Sequence, residues 1–386
     1  MNFRLRRLLT GSALLGLVTG LGTLLSACQP VPDTVKIGVA QPLTGPLGTL
    51  GQDMVDGARM AVEDLNKEGF KVDGKVVKFE IVTGDDKSDP ETGKKVAQQM
   101  IDQGAVAVIG HLNSGVSMAA APVYAAKMIP QLAISTKPEY TQMGLPTTFR
   151  LVASDALQSK AMGAFAAQLP GGTHRYAVVD DATPYGKGLA QSAKAQLSTR
   201  KREVVLEMSL DAKTTDFAKL IEALKAQKAD VLVTTLADFQ VLALADQLAT
   251  AGVKLAIVGG DTIKTPAMAK ANPAAGKIYA TSPIIGVDEF LGGKAFLTRY
   301  RAKFNHDPVY GGHYAYDAVY VLAAAIRQAK SVEGDKLVAA LKTVDPLAPV
   351  TSSMRFGDNG EQRYGVVSVY EINNGDWFLL TRSDNW

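Results

Sequence analysis

Two short loops hold the residue types best suited to gripping a small charged molecule. The first reads Gly110-His111-Leu112-Asn113-Ser114-Gly115, the second Ile134-Ser135-Thr136-Lys137-Pro138-Glu139. Each follows a short apolar run that predicts a buried strand, 105–109 for the first and 129–134 for the second. An Ala-rich stretch, 116–127, predicts a helix between them. Strand, loop, helix, strand, loop is the unit of a parallel sheet, and such sheets bind ligands outside the carboxyl ends of their strands. Ser114 stands where the helix begins, so its hydroxyl and the free backbone N–H groups behind it face one crevice. A helix N-terminus attracts an anion such as a carboxylate. Thr136, one strand over, adds a second hydroxyl and N–H, and Asn113 and Ser135 stand beside them. Ser114 alone reads equally as an N-cap, and Thr136 alone as a turn residue. The pair on adjacent strand ends favours a ligand.

Catalytic chemistry finds less support. The four histidines, His111, His174, His306 and His313, form no His-x-x-x-His or His-Cys pattern, and the Gly-x-Ser-x-Gly elbow is absent. His111 beside the loop is a candidate base, but it is expected behind the loop as a hydrogen-bonded core residue. Asp85, Asp86 and Asp89 lack the spacing of an EF-hand, and Asp89-Pro90 predicts an N-cap followed by Pro at the first helical position. Gly45, Gly48 and Gly51 match neither the dinucleotide nor the phosphate-loop pattern. No enzyme activity, metal or cofactor is expected.

The elements that must position these loops alternate along the chain. Strands are predicted at 35–40, 76–82, 149–152, 176–180, 204–208, 231–235, 255–259 and 278–282, besides the two above. Helices are predicted at 52–66, 91–103, 156–169, 189–197, 216–226 and 239–251. This alternation predicts an α/β fold with two doubly wound parallel sheets. Helices at 296–304, 313–329 and 336–342 follow, then strands at 354–356, 365–372 and 377–381 that form hairpins.

With 386 residues, 47% hydrophobic and 20% charged, the chain is long enough for two cores. Its net charge of +3 includes Arg4, Arg6 and Arg7 at the extreme N-terminus, so the rest is near neutral and offers nothing to nucleic acid. Residues 1–27 read as an export signal, with those arginines ahead of an apolar run at 8–25. Leu25-Ser26-Ala27-Cys28 resembles a bacterial lipobox, in which the cysteine is lipidated and becomes the mature N-terminus. Cys28 is the only cysteine, which excludes an intramolecular disulfide. Residues 28–33 read as a tether.

From residue 35 to the C-terminus the plan resembles the type I periplasmic solute-binding proteins of ABC transporters, in the leucine/isoleucine/valine-binding branch. The matching stretches are Gln41-Pro42-Leu43-Thr44-Gly45-Pro46, Gly57-Ala58-Arg59-Met60-Ala61-Val62, Asp85-Asp86 with Asp89-Pro90, Val108-Ile109-Gly110-His111, Thr136-Lys137-Pro138-Glu139 and Tyr185-Gly186-Lys187-Gly188. The resemblance implies two lobes on a three-stranded hinge, closing on a ligand. Lobe one would comprise 34–152 plus 284–360, and lobe two 153–283 plus 361–386. Ser114 and Thr136 would hold the α-carboxylate of an amino acid, Asp261 its α-ammonium, and Tyr185 would cover the site. Asp261 also reads as a loop or N-cap acid, and Tyr185 as a packing residue. Two positions depart from the family pattern: Leu50 stands where a tyrosine is usual, and Ala237-Asp238 where another aromatic is usual. Asp238 would then add a second negative charge. Tyr310, Tyr314 and Tyr316 read as hinge or core aromatics rather than ligand contacts.

The implied function is that of a monomeric, extracytoplasmic lipoprotein of the periplasm or cell surface. It would touch the membrane only through Cys28 and deliver an amino acid to an ABC permease in the inner membrane. A periplasmic sensor or amide receptor is the alternative.

Overall fold

Val35, Ile37, Val39 and Ala40 leave no apolar surface exposed in the strand β1 (Thr34–Gln41), which is covered on both faces. Such a continuous apolar run belongs at the centre of a parallel sheet. The computed structural model describes residues 31–171 and 174–383. The predicted signal and Cys28, where lipidation is expected, lie outside them.

The first lobe continues with α1 (Gly48–Glu68), the short pair β2 (Lys71–Val72) and β3 (Lys75–Val76), β4 (Lys78–Asp85) and α2 (Pro90–Asp102). β5 (Ala105–Gly110), α3 (Ser114–Ala125), β6 (Gln131–Ala133) and β7 (Thr148–Arg150) complete its sheet. The second lobe holds α4 (Asp155–Ala167), β8 (Arg175–Asp180), α5 (Pro184–Thr199), β9 (Glu203–Ser209) and α6 (Ala218–Ala226). β10 (Val231–Thr234), α7 (Asp238–Thr250), β11 (Ala256–Gly259) and β12 (Ile278–Ser282) follow. The chain then returns to lobe one as α8 (Gly293–Phe304), α9 (Gly312–Ala329), α10 (Gly334–Thr343) and the short pair β13 (Leu347–Ala348) and β14 (Ser352–Ser353). It ends in lobe two as β15 (Ser368–Asn373) and β16 (Asp376–Arg382).

The lobe-one sheet is parallel, in the order β4-β1-β5-β6-β7. Lobe two repeats the order as β9-β8-β10-β11-β12. Each order reverses direction beside its first strand, and ligands of such sheets bind where it does. The second sheet is not wholly parallel: β15 pairs antiparallel with β12, and β16 antiparallel with β15. The hairpin tip Asn373-Asn374-Gly375 allows this, because Asn374 and Gly375 both take positive φ.

Several element boundaries differ from the sequence reading. α1 begins at Gly48, because Gly51 packs so tightly on the Pro42 carbonyl that a Cβ would lie 1.9 Å from its oxygen. α5 begins at Pro184, because the Thr183 hydroxyl accepts the Gly186 N–H and caps it. Residues 354–356 form no strand; Phe356 makes a single bridge to Gln362 as the chain crosses between lobes. α4 starts one residue earlier than expected, at Asp155.

The lobe-one core is closed by α1 lying directly on α9. A Cβ on Gly57 would sit 1.8 Å from the Gly312 carbonyl oxygen. Backbone touches backbone there, so a methyl group has no side chain to displace. Gly57→Ala must push the helices apart and should destabilise the protein by about 1–3 kcal/mol, as overpacked cores do. Denaturant unfolding checks this, and an unchanged midpoint would contradict the packing.

Candidate functional site

The carboxyl ends of the two sheets face each other across a cavity of about 140 Å³. Lobe one contributes Leu47, Leu112, Asn113, Ser114, Gly115, Val116, Ile134, Thr136 and Tyr310; lobe two contributes Asp181, Thr183, Pro184, Tyr185, Ala237, Asp261 and Thr262. Larger hollows of about 280 and 370 Å³ lie beside Ile285, in the segment after β12, but neither lies at these strand ends. The lobes meet around the small cavity. Gly115 approaches Pro184 so closely that a Cβ would lie 3.0 Å from its ring, and Ala237 packs into the lobe-one core.

The lobe-one wall is a donor surface. α3 begins at Ser114, after Asn113, whose side chain caps nothing. The first paired N–H of this turn is that of Ser117, to the Asn113 carbonyl at 2.9 Å. The N–H groups of Ser114, Gly115 and Val116 therefore have no helical partner. The Ser114 hydroxyl accepts the Lys137 N–H at 3.3 Å, which leaves its own proton free to donate. Thr136 brings a second hydroxyl from the adjacent strand end. No carboxylate stands on this wall.

Lobe two faces it with an acceptor. Asp261 follows β11 and is 3% exposed. Its Oδ1 accepts from Gln158 Nε2 at 3.0 Å and from the Tyr185 hydroxyl at 2.8 Å. Its Oδ2 accepts from the Tyr310 hydroxyl at 2.5 Å, a bond that crosses from lobe one. Burial, and then the charge of Asp261, push the hydroxyls of Tyr185 and Tyr310 well above the usual tyrosine range, so both stay protonated donors. Leu47, Leu112, Val116, Ile134, Pro184 and Ala237 make the apolar part of the lining, and Ser88, Asp181, Thr183 and Thr262 add polar groups.

Five of the seven expected contacts, Asn113, Ser114, Thr136, Tyr185 and Asp261, line this one cavity. Two do not. The Ser135 hydroxyl turns inward to the carbonyls of His111 and Leu112 and to Ser117, because alternate residues at a strand end point to opposite faces. Asp238 opens α7 and turns back to the Phe239 N–H at 2.7 Å and the Thr265 hydroxyl at 3.0 Å. It does not line the cavity. Tyr310 is the residue that the sequence reading missed, having placed it in the hinge or core. Its signal was the Gly311-Gly312 pair that follows. Asp53, buried in α1, accepts the N–H groups of Tyr310 at 2.9 Å and Gly312 at 2.7 Å, which only a close backbone approach permits. Leu50 is buried inside α1, and Leu47 reaches the cavity in its place.

The donor loop is held from behind by buried polar groups. His111 Nδ1 lies 2.7 Å from Asp86 and Nε2 3.2 Å from the Tyr124 hydroxyl, with all three residues buried. Both ring nitrogens are engaged, so this histidine is no free base. Arg150, at the end of β7, bonds Glu361 through Nε at 3.0 Å and also the carbonyls of Ser135, Lys137 and Pro138. It fixes the backbone on both sides of Thr136. Among the described residues, no group of three or more His, Cys, Asp or Glu side chains could hold a metal.

The sequence profile of the periplasmic binding protein family matches residues 34–376. This chain belongs to that family. A Leu/Ile/Val-binding protein homolog of Brucella melitensis is 30% identical over 348 residues, covering 88% of this chain and 91% of the relative. A Pseudomonas aeruginosa protein named for binding leucine, isoleucine, valine, threonine and alanine is also 30% identical, over 88% of this chain and 90% of its own. Among solved structures, the branched-chain amino acid transporter substrate-binding protein LivJ of Streptococcus pneumoniae, in complex with isoleucine, superposes with a TM-score of 0.79 at 27% identity. That likeness covers 90% of this chain and 98% of LivJ.

In this binding protein Arg150 is the side chain on which the Thr136 loop hangs. Arg150→Met keeps the stem but leaves three carbonyls without their donor and Glu361 unpaired. It should destabilise the fold by about 3–5 kcal/mol, the usual effect of breaking a buried ion pair from one side. Urea unfolding checks this, and a loss below about 1 kcal/mol would show that Arg150 is not the anchor.

Proposed function

We propose that this chain is the extracytoplasmic binding component of an ABC importer, closing on one aliphatic α-amino acid and delivering it to a permease. The observation that carries this reading is the opposition of an uncapped helix N-terminus to a buried carboxylate across a cavity of about 140 Å³. The ligand carboxylate would meet the Ser114 and Thr136 hydroxyls and the free N–H groups of α3. These are charge-assisted donors at the positive end of a helix. The ammonium would meet Asp261. A carboxylate has about four acceptor sites, and Gln158, Tyr185 and Tyr310 occupy three. The remaining site suits one N–H of an ammonium.

The apolar wall selects the side chain. Its six residues would enclose a branched aliphatic group, whose burial contributes about 1.5–3 kcal/mol. The cavity lies well below the roughly 300–1,000 Å³ of sites for drug-sized ligands. His111, engaged at both ring nitrogens, offers no free base, which favours binding over catalysis. The same reading makes the mature protein a monomer anchored by lipid at Cys28. Mass spectrometry of the native N-terminal peptide should show the lipid mass on Cys28, and an unmodified cysteine would contradict the anchor.

Calorimetry with L-isoleucine, L-leucine and L-valine tests the site itself. At least one should bind, and 4-methylpentanoate, leucinamide and benzoate, each lacking one charged end, should bind at least a hundredfold more weakly. Asp261→Ala should weaken binding by a similar factor, about 2.7 kcal/mol, since it leaves the ammonium unpaired in a closed cleft. Ser114→Ala should lose less, because backbone donors remain. Equal affinity for the deaminated acid, or an unaltered dissociation constant for Asp261→Ala, would defeat the assignment.

A further inference from the structure

Val31, ahead of β1, is already part of the lobe-one core. Its carbonyl accepts from Lys75 Nζ at 3.0 Å, and the Asp33 carboxylate lies 2.6 Å from the same ammonium. The Asp33 carbonyl accepts the N–H of Lys78, the first residue of β4, at 2.9 Å. β1 and β4 run parallel, so these residues mark the amino end of the sheet. That is the pole of lobe one opposite the cleft. Cys28 stands three positions before Val31 (31 minus 28). An extended chain spans at most about 3.6 Å per residue, so the two Cα atoms lie within about 11 Å of each other. A lipid on Cys28 therefore draws this pole against the bilayer.

The surface there combines apolar groups with unspent positive charge. Leu347, at the start of β13, is 81% exposed, and Val76, in β3, 48%. Lys71 and Val76 are cross-strand partners, so their side chains share a face. Lys71 and Leu347 line one hollow of about 770 Å³, together with Leu65, Phe70, Ala324 and Pro346. The Arg327 guanidinium, on its rim, lies 4.2 Å from the centre of the Phe70 ring. Lys71, Lys78 and Arg327 are exposed and form no ion pair among the described residues. The acids beside them are already engaged: Asp33 by Lys75, Asp73 by Lys330, Asp345 by Arg355, and Glu68 by the Tyr320 hydroxyl. A lone exposed leucine needs no explanation. One beside an apolar hollow, free cations and the entry point of an anchored chain does.

We propose that this pole of lobe one is a membrane-contact surface: Leu347 and Val76 enter the interfacial layer of the bilayer, and Lys71, Lys78 and Arg327 meet the phosphates of anionic phospholipids. The inference rests on the lipid-anchor reading of Cys28. Lysine and arginine suit this role, because their stems lie along apolar groups while their charged heads reach an anion. A basic patch beside a lipid anchor adds a second membrane signal to the first. The contact also orients the molecule. The cleft lies at the carboxyl ends of the same strands, so a bilayer held at their amino ends leaves it clear of lipid.

Fluorescence of the lipidated protein on vesicles of phosphatidylethanolamine and phosphatidylglycerol tests this. Cys28 is the only cysteine, and a lipid blocks its thiol, so Leu347→Cys or Ser198→Cys supplies the one thiol for a polarity-sensitive label. Ser198 is an exposed residue near the end of α5, in lobe two, and serves as the control. The label at 347 should shift to shorter wavelength on vesicles, be quenched by a nitroxide carried on lipid, and lose its quenching by aqueous iodide. The label at 198 should show none of these. Adding Lys71→Glu and Arg327→Glu should return the label at 347 to its aqueous spectrum while the anchor keeps the protein on the vesicles; a shift that persists overturns the recognition of anionic lipid. A label at 347 that stays aqueous in protein with lipidated Cys28 overturns the contact surface and leaves the anchor standing. So does protection from iodide without quenching by the lipid nitroxide, which would mean that a second copy or another protein covers this face. An unmodified Cys28 in the native protein overturns the anchor and this inference together.

Discussion

A carboxylate buried between two lobes must be satisfied, and most of the site's geometry follows from how Asp261 is. Its three donors come from three elements: Gln158 from α4, Tyr185 from α5 and Tyr310 from the segment before α9. Only the last belongs to lobe one. A buried charge left without partners costs several kcal/mol, so the Tyr310 bond ties the lobes together. Tyr310 in turn stands where it does because Asp53 holds its backbone N–H and the first N–H of α9. Burial pushes the Asp53 carboxyl up, while the Tyr300 hydroxyl and those N–H groups pull it back. One acid in the lobe-one core thus sets the aim of a hydroxyl on an acid in lobe two.

The opposite wall works by leaving groups unpaired. A helix start without a side-chain cap would ordinarily be a defect. Here it opens on the cavity, and the strain of positioning is taken by groups further back: Asp86, His111 and Tyr124 under one loop, Arg150 and Glu361 under the other. Those side chains do not line the cavity. They make the loops rigid enough to present N–H and hydroxyl groups in one direction, and such preorganisation lowers the entropic cost of binding.

Much of this was legible in the sequence. Runs such as Val231-Leu232-Val233 have no polar alternation, and only a strand covered on both faces accepts them. The loops that follow those runs had to lie at carboxyl ends, which located Ser114 and Thr136 near one another; Asp261 was set opposite them only by what the family resemblance implies. What was not legible depends on rotation and close approach. The sequence does not show whether Ser135 or Thr136 faces the cleft, since a one-residue shift exchanges them. It does not show that Asp238 would turn back on its own helix. Tyr310 is 196 positions from Ser114 (310 minus 114), and its place depends on two glycines that let α9 approach Asp53. The Thr183 cap was visible as a residue type, but Tyr185-Gly186-Lys187-Gly188 read as a loop because its glycines mask a helix start. Gly186 is there for space: a Cβ would lie 2.0 Å from Asp181 Oδ1.

The central claim is that one zwitterion is read at both ends, by lobe one at its carboxylate and by lobe two at its ammonium. A crystal structure of the complex with L-isoleucine tests it most directly. The account predicts the carboxylate within hydrogen-bonding distance of the Ser114 and Thr136 hydroxyls and the N-terminus of α3, with the ammonium against Asp261. A carboxylate seated elsewhere, or an ammonium that does not reach Asp261, would contradict it.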